Sequence, residues 1–238
     1  MNVHLIYALI AVSLCDFNIP KEPPTQRNIH FRWQQQLEAF VSADGNVDYK
    51  GWKNQEQELE AYIGTLEQFT PAAYWSKEEI LAYWINAYNA LTVQLILKNY
   101  PLKSIRDIKD PWDTPCFFLS DKKYSLGNIE HDILRKMDEP RIHFAINCAS
   151  TSCPKLQREA FMPRKMEVQL ENATKAFVMD QSKNKISKEE LKLSRIFLWF
   201  GKDFGSKAAR LTFISRYSGV DLKNPTIEYL SYDWSLNQ

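Results

Sequence analysis

The sequence predicts a single mixed helix-and-sheet domain of the α+β class, helix-rich with a small sheet. Three observations carry that expectation. A long stretch from Lys77 to Tyr100 has the signals of both helix ends; short apolar runs near residues 117–126 and 185–193 are divided by turn residues, as hairpins are; and about two hundred residues follow the N-terminal segment without an internal linker.

The N-terminal segment is read as a leader. Leu5 to Leu14 is an apolar run of about ten residues, half of the roughly twenty needed to cross a bilayer and typical of a signal-peptide core. Export to the periplasm, the cell envelope or the medium is therefore expected, although Met1 to His4 supplies no Lys or Arg. Cys15 directly after the run invites a lipoprotein reading, in which a lipid on that thiol is the one membrane attachment; Leu14 is bulky for such a cleavage site. Residues 1–15 are thus assigned as signal, 16–28 as a Pro-rich polar tether, and 29–238 as the folded domain.

Within the domain, helical spacing runs from Phe31 to Val41, breaks at Asp44-Gly45, and returns at Leu59, Tyr62, Ile63 and Leu66 before Pro71. The clearest helix follows. Ser76 and Glu79 form a capping box, Trp75 and Ile80 a hydrophobic staple, and Pro101 bars continuation; Ile80, Trp84, Ala87, Leu91 and Leu95 make a stripe to bury. Asn86 and Asn89 share one face of this apolar element. A buried amide left unpaired is penalised by about 1–3 kcal/mol, so each needs a partner, either backbone in a structural role or a substrate carbonyl in a binding role.

A hairpin is expected on either side of Asp121-Lys122, followed by a helix in which Leu126, Ile129, Ile133, Leu134 and Met137 recur at helical spacing, with Ser125 as N-cap and Pro140 as stop. Glu130 falls on or beside the apolar face. Its expected partner is His131 of the same helix or His143 beyond it, and either pairing would orient the imidazole and favour its protonated form; the alternative places Glu130 and His131 at the solvent edge.

From Arg141 to Pro154 the chain reads R-I-H-F-A-I-N-C-A-S-T-S-C-P, with two of the four cysteines and one of the four histidines. Ile142, Phe144 and Ile146 alternate with His143, Ala145 and Asn147, the pattern of a half-buried strand that delivers a polar loop carrying Cys148 and Cys153. Three readings of those thiols stay open. A Cys148–Cys153 disulfide, with Cys116 as a buried small hydrophobe, is the simplest; a nucleophilic thiol, Cys153 ahead of Cys148, is the second; metal binding is the third, and no C-x-x-C pair or H-x-x-x-H ladder supplies its ligand spacing. No metal or cofactor is therefore assigned. Farther on, a helix is expected at Arg164 to Met179, a small hairpin at residues 185–193, helices at Ser194 to Phe200 and Ala208 to Tyr217, and a strand or extended tail from Tyr229 to Trp234.

Thirty Lys and Arg against twenty-nine Asp and Glu, without a basic stripe, exclude the electrostatic footprint of a nucleic-acid binder. Seven glycines leave no phosphate loop and no dinucleotide fingerprint. Trp75, Trp84, Tyr88, Phe197, Trp199, Phe200 and Trp234 are core candidates first and lining of a sugar- or peptide-binding cleft second.

Five blocks in order, A-Y-W-I-N-A-Y-N-A-L-T, Y-S-L-G-N-I-E-H-D-I-L-R, D-E-P-R-I-H-F-A-I-N-C-A-S-T-S-C-P-K-L, L-S-R-I-F-L-W-F-G-K-D-F-G and Y-D-W-S-L-N, resemble the family called domain of unknown function 547, from about Phe31 to Gln238. That resemblance names no reaction. It implies that Asn86, Asn89, Glu130, His131, His143, Cys148 and Cys153 belong to one shared site or core. The expected function is an exported binding or structural module of the envelope, with a polar pocket for a small-molecule or peptide ligand contacted by Asn86, Asn89 and Asn147. The alternative is a thiol-dependent hydrolase or acyltransferase with Cys153 or Cys148 as nucleophile, His143 or His131 as base and Glu130 orienting it.

Overall fold

The computed structural model describes residues 29–223 and 225–238; the apolar run Leu5 to Leu14, Cys15 and the tether 16–28 lie outside them. In chain order the helices are α1 (Phe31–Phe40), α2 (Tyr49–Lys53), α3 (Glu56–Gln68), α4 (Lys77–Asn99), α5 (Met166–Met179), α6 (Ile196–Trp199) and α7 (Lys207–Ser218). The strands are β1 (Phe117–Leu119), β2 (Lys122–Tyr124), β3 (Lys185–Ile186), β4 (Leu191–Leu193) and β5 (Glu228–Tyr229). The class is α+β, helix-rich, with β1-β2 as a lone hairpin and β3-β4-β5 as a second small sheet. The expected pairing of 185–186 with 191–193 is present, and β5 adds to β4 in parallel, Lys192 opposite Glu228 and Leu193 opposite Tyr229.

Helix α4 is the axis of the fold. Ser76 accepts from the Glu79 N–H at 3.2 Å, and the Glu79 carboxylate accepts from the Ser76 N–H at 2.7 Å, so both ends of the capping box are closed. The expected stripe understates its burial. Every residue from Leu81 to Val93 is buried, because α2, α3, α5 and the 128–137 segment all pack against it. By length and hydropathy α4 would pass as a membrane span, but 89% of its most apolar stretch is inside the protein. It is a core helix wrapped on all sides.

The β1-β2 turn falls one residue earlier than expected, at Ser120-Asp121, with Ser120 in the left-handed region at φ 52°. The 126–137 segment is helical but not α-helical throughout. Asn128–Ile133 winds in wide π-type turns and Leu134–Met137 closes as a 3-10 turn, with the Ser125 hydroxyl accepting from the Asn128 N–H as the expected cap. Gly127 suits this crowded position: a Cβ would come 3.0 Å from the Trp112 carbonyl oxygen, to which the Gly127 N–H already donates at 2.8 Å. That contact seats the Trp112 loop against the π segment.

The strand expected at 142–147 is absent. Pro140–Phe144 is a 3-10 helix opened by Pro140, with the Glu139 side chain accepting from the Arg141 N–H. The alternation failed as a strand signal because there is no polar face to alternate with: every residue from Ile142 to Asn147 is buried. Ile142, Ala145 and Ile146 join the main core around α4, whereas Phe144 enters a second cluster with Phe177, Phe197 and Phe204. The segment sits between two apolar bodies rather than on a half-exposed sheet.

Candidate functional site

The two asparagines of α4 pin backbone on either side of the cysteine loop. Asn89 donates to the Ala145 carbonyl at 3.0 Å and accepts from the Asn147 N–H at 2.8 Å; Asn86 does the same for Phe161, donating at 2.8 Å and accepting at 3.0 Å. Asn147 then shapes the loop it opens. Its amide donates to the Pro154 carbonyl at 2.7 Å and its oxygen accepts from the Ala149 N–H at 2.8 Å, holding Ala149 at φ 59°, a left-handed conformation that alanine resists by about 1–2 kcal/mol. All three side chains are buried behind the site, and none lines its cavity.

The C-terminal tail clamps the loop from outside. The Thr151 N–H donates to the Ser235 carbonyl, the Ser152 N–H to the Asp233 carbonyl, and the Asn237 N–H to the Ala149 carbonyl. Cys148 and Cys153 are joined as a disulfide, leaving Cys116, half-buried against the core, as the free cysteine among the described residues. Neither Cys148 nor Cys153 is a thiol in this structure. Cys148 is half-buried and Cys153 buried, and the shorter polar contacts are to Cys153: the Cys148 N–H reaches its Sγ at 3.0 Å and the Tyr232 hydroxyl donates to it at 3.3 Å, while the Ser150 hydroxyl lies 3.4 Å from Cys148 Sγ. Tyr232 Oη is also 3.4 Å from Cys148 Sγ and accepts from the Ser150 hydroxyl at 3.1 Å.

Above the disulfide lies a cavity of about 230 Å³, to whose lining belong Glu130, His131, His143, Cys148 and Cys153. Much of its wall is aromatic. Trp199, Tyr232 and Trp234 meet with ring centroids 4.5–5.8 Å apart, Trp112 packs on Trp234 at 5.7 Å, and Trp199 stays 43% exposed as a rim. Such a wall gives apolar contact with few polar demands.

The polar groups form two linked sets, and neither is the pairing expected from sequence. Glu130, only 6% exposed, accepts from the Tyr88 hydroxyl at 3.2 Å instead of pairing with an imidazole, and burial raises its carboxyl to about 7. His143 instead meets Asp203, Nε2 to Oδ2 at 2.8 Å, and stacks on Phe200 at 4.1 Å between ring centroids. Burial outweighs the carboxylate and lowers His143 to about 4, so the expected bias toward imidazolium is reversed. With Asp203 able only to accept, neutral His143 carries its proton on Nε2 and leaves Nδ1 unprotonated. Arg135 grips both Asp203 oxygens at 2.6 and 2.7 Å, holding that carboxyl below its usual range, and donates to His131 Nδ1 at 3.1 Å. Burial, then Arg135, lowers His131 as well.

Sequence reasoning did not single out Asp203, Arg135 or Tyr232. Each nevertheless stands in one of the five blocks, Arg135 at the end of the second, Asp203 in the fourth and Tyr232 opening the fifth. Among the described residues, no hydrogen bond joins either imidazole to either sulfur, and no three His, Cys, Asp or Glu side chains are grouped to hold a metal ion.

Residues 72–178 match the model of a family described as "Protein of unknown function, DUF547", and over that stretch the chain resembles the family. The match spans the first three blocks, with Glu130, both site histidines and both cysteines; Asp203, Tyr232 and Trp234 lie past its end. No curated protein and no solved structure matches the chain.

Proposed function

We propose that the protein is an exported module of the cell envelope that holds a small-molecule or peptide ligand in this cavity. The observation that carries the reading is the meeting, in one space, of a contiguous aromatic wall with a protonatable carboxyl and two imidazoles held neutral. A ligand suited to it has a ring to lie against Trp199 and Tyr232 and a hydrogen-bonding group for Glu130 or His131. Export is supported by the apolar run at Leu5 to Leu14 and by a disulfide, a bond that persists in oxidising compartments. Nucleic acid is not a partner in this reading, given a formal net charge of +1, and a lipid on Cys15 would be its only membrane attachment.

Titration with N-acetyltryptophanamide, phenylacetate and methyl glucoside, followed through the fluorescence of the wall tryptophans, tests the reading. Saturable binding of at least one is expected, weakened about tenfold by Trp199→Ala and abolished when Ile146→Trp fills the cavity. Binding of none of the three, or binding indifferent to both substitutions, would overturn it. A thiol-dependent hydrolase is a second reading, favoured by His143, held by Asp203, lining the same cavity as the two cysteines, and it stands only for the protein with its disulfide opened.

A further inference from the structure

We infer that the Cys148–Cys153 bond is a reactive group of the cavity, exchanging with a thiol ligand seated against the aromatic wall. This deepens the binding reading and rests on it, since the ligand must occupy the same space. Three observations point this way. Both cysteines belong to the lining of the cavity. They are unequal: Cys148 Sγ belongs to a half-buried residue, and Cys153 Sγ lies deeper. The shorter contacts fall on the deeper one, the Cys148 N–H at 3.0 Å and the Tyr232 O–H at 3.3 Å, against 3.4 Å from each of the Ser150 and Tyr232 hydroxyl oxygens to Cys148 Sγ. A disulfide needed only as a staple requires no donors on its sulfur, whereas a departing thiolate does.

The direction of exchange follows. The ligand thiolate attacks Cys148 Sγ, a new S–S bond forms between ligand and Cys148, and the pair from the old bond leaves on Cys153 Sγ, where the N–H and O–H stabilise it. Burial holds the Tyr232 hydroxyl up at about 12, so it stays a donor through this step. A second thiol molecule then attacks the ligand sulfur of the mixed disulfide, releasing the oxidised ligand dimer and the Cys148 thiolate. Two thiols lose two electrons and two protons, and the protein gains a dithiol. The reductant is thus a low-molecular-weight thiol, and no further co-reactant is required.

The test uses 4-mercaptobenzoate on the folded, oxidised protein, with acid quenching and intact-mass analysis, and its S-methyl thioether as an unreactive mimic followed by tryptophan fluorescence. The expected result is reduction whose rate saturates with thiol concentration, a transient adduct mapped to Cys148, competition by the thioether, and about tenfold slower exchange in Tyr232→Phe. An adduct on Cys153, or a rate linear in thiol and equal in Tyr232→Phe, would overturn the inference. If the thioether still binds and is displaced by Ile146→Trp, only the exchange has failed; if the thioether and the three ligands above all fail to bind, the binding reading falls with it.

Discussion

Replacing Asn89 by leucine is expected to destabilise the protein by about 4 kcal/mol, because it strands two buried backbone groups at once. The Ala145 carbonyl and the Asn147 N–H each have their hydrogen bond to this one side chain, in a stretch where every neighbour is buried. Each orphaned group is penalised by about 1–3 kcal/mol, and leucine, with the branched outline of asparagine but none of its polarity, adds no compensating donor or acceptor. The urea midpoint should fall with an unchanged slope, which marks a loss of stability without a change in compactness. Because Asn147 in turn holds both ends of the cysteine loop, the same variant should lose the ligand response of the cavity. A midpoint within about 1 kcal/mol of the unaltered protein would show that the α4 amides do not anchor the site.

The second large effect is a gain. Glu130 sits among Tyr88, which donates to it, Arg135, which favours its charge, and Asp203, which opposes it; burial dominates and lifts its carboxyl from 4.5 to about 7. Between those values the folded chain keeps a proton that the unfolded chain has released, so stability is lost as pH rises through that window, by about 3 kcal/mol in all. His143 runs the other way: held at about 4 against 6.5, it contributes stability that appears as pH climbs from 4 to 6.5, and His30, buried and lowered to about 3, adds to it. The opposing slopes mask one another. Glu130→Gln removes the first while keeping an oxygen for the Tyr88 hydroxyl. The variant should match the original near pH 4 and exceed it by about 3 kcal/mol at pH 8, read from urea unfolding at each pH. A constant offset across that range would show that Glu130 is ionised in the fold.

How far the sequence disclosed this arrangement depends on whether the controlling interaction was local. The capping box of α4 and the 185–193 hairpin lie within a few residues of their signals, and each is where spacing placed it. The 142–147 segment defeated period counting, since burial on both faces erases the difference between strand and 3-10 turn, and Pro140 decided the outcome. Glu130, His131, His143, Cys148 and Cys153 line one cavity, whereas Asn86, Asn89 and Asn147, expected in the same pocket, bond to backbone behind it. Their partners were not legible, because Tyr88 lies 42 residues from Glu130 and Asp203 lies 60 from His143, and no periodicity links positions that distant. Tyr232 was hidden for the same reason, since an extended tail acquires meaning only when it folds over the cysteine loop, whereas Trp199, Phe200 and Trp234 line the cavity as their aromatic character allowed.

One oxidised loop forms the floor of the cavity. Alkylation of the native, non-reduced protein followed by peptide mapping measures it directly. Cys116 should be found as a thiol, slow to react because burial raises it to about 11, and the peptides holding Cys148 and Cys153 should be found joined, becoming alkylated after mild thiol treatment of the folded chain. Free Cys148 and Cys153 in the untreated protein, or a bond that yields only once the chain is unfolded, would contradict it.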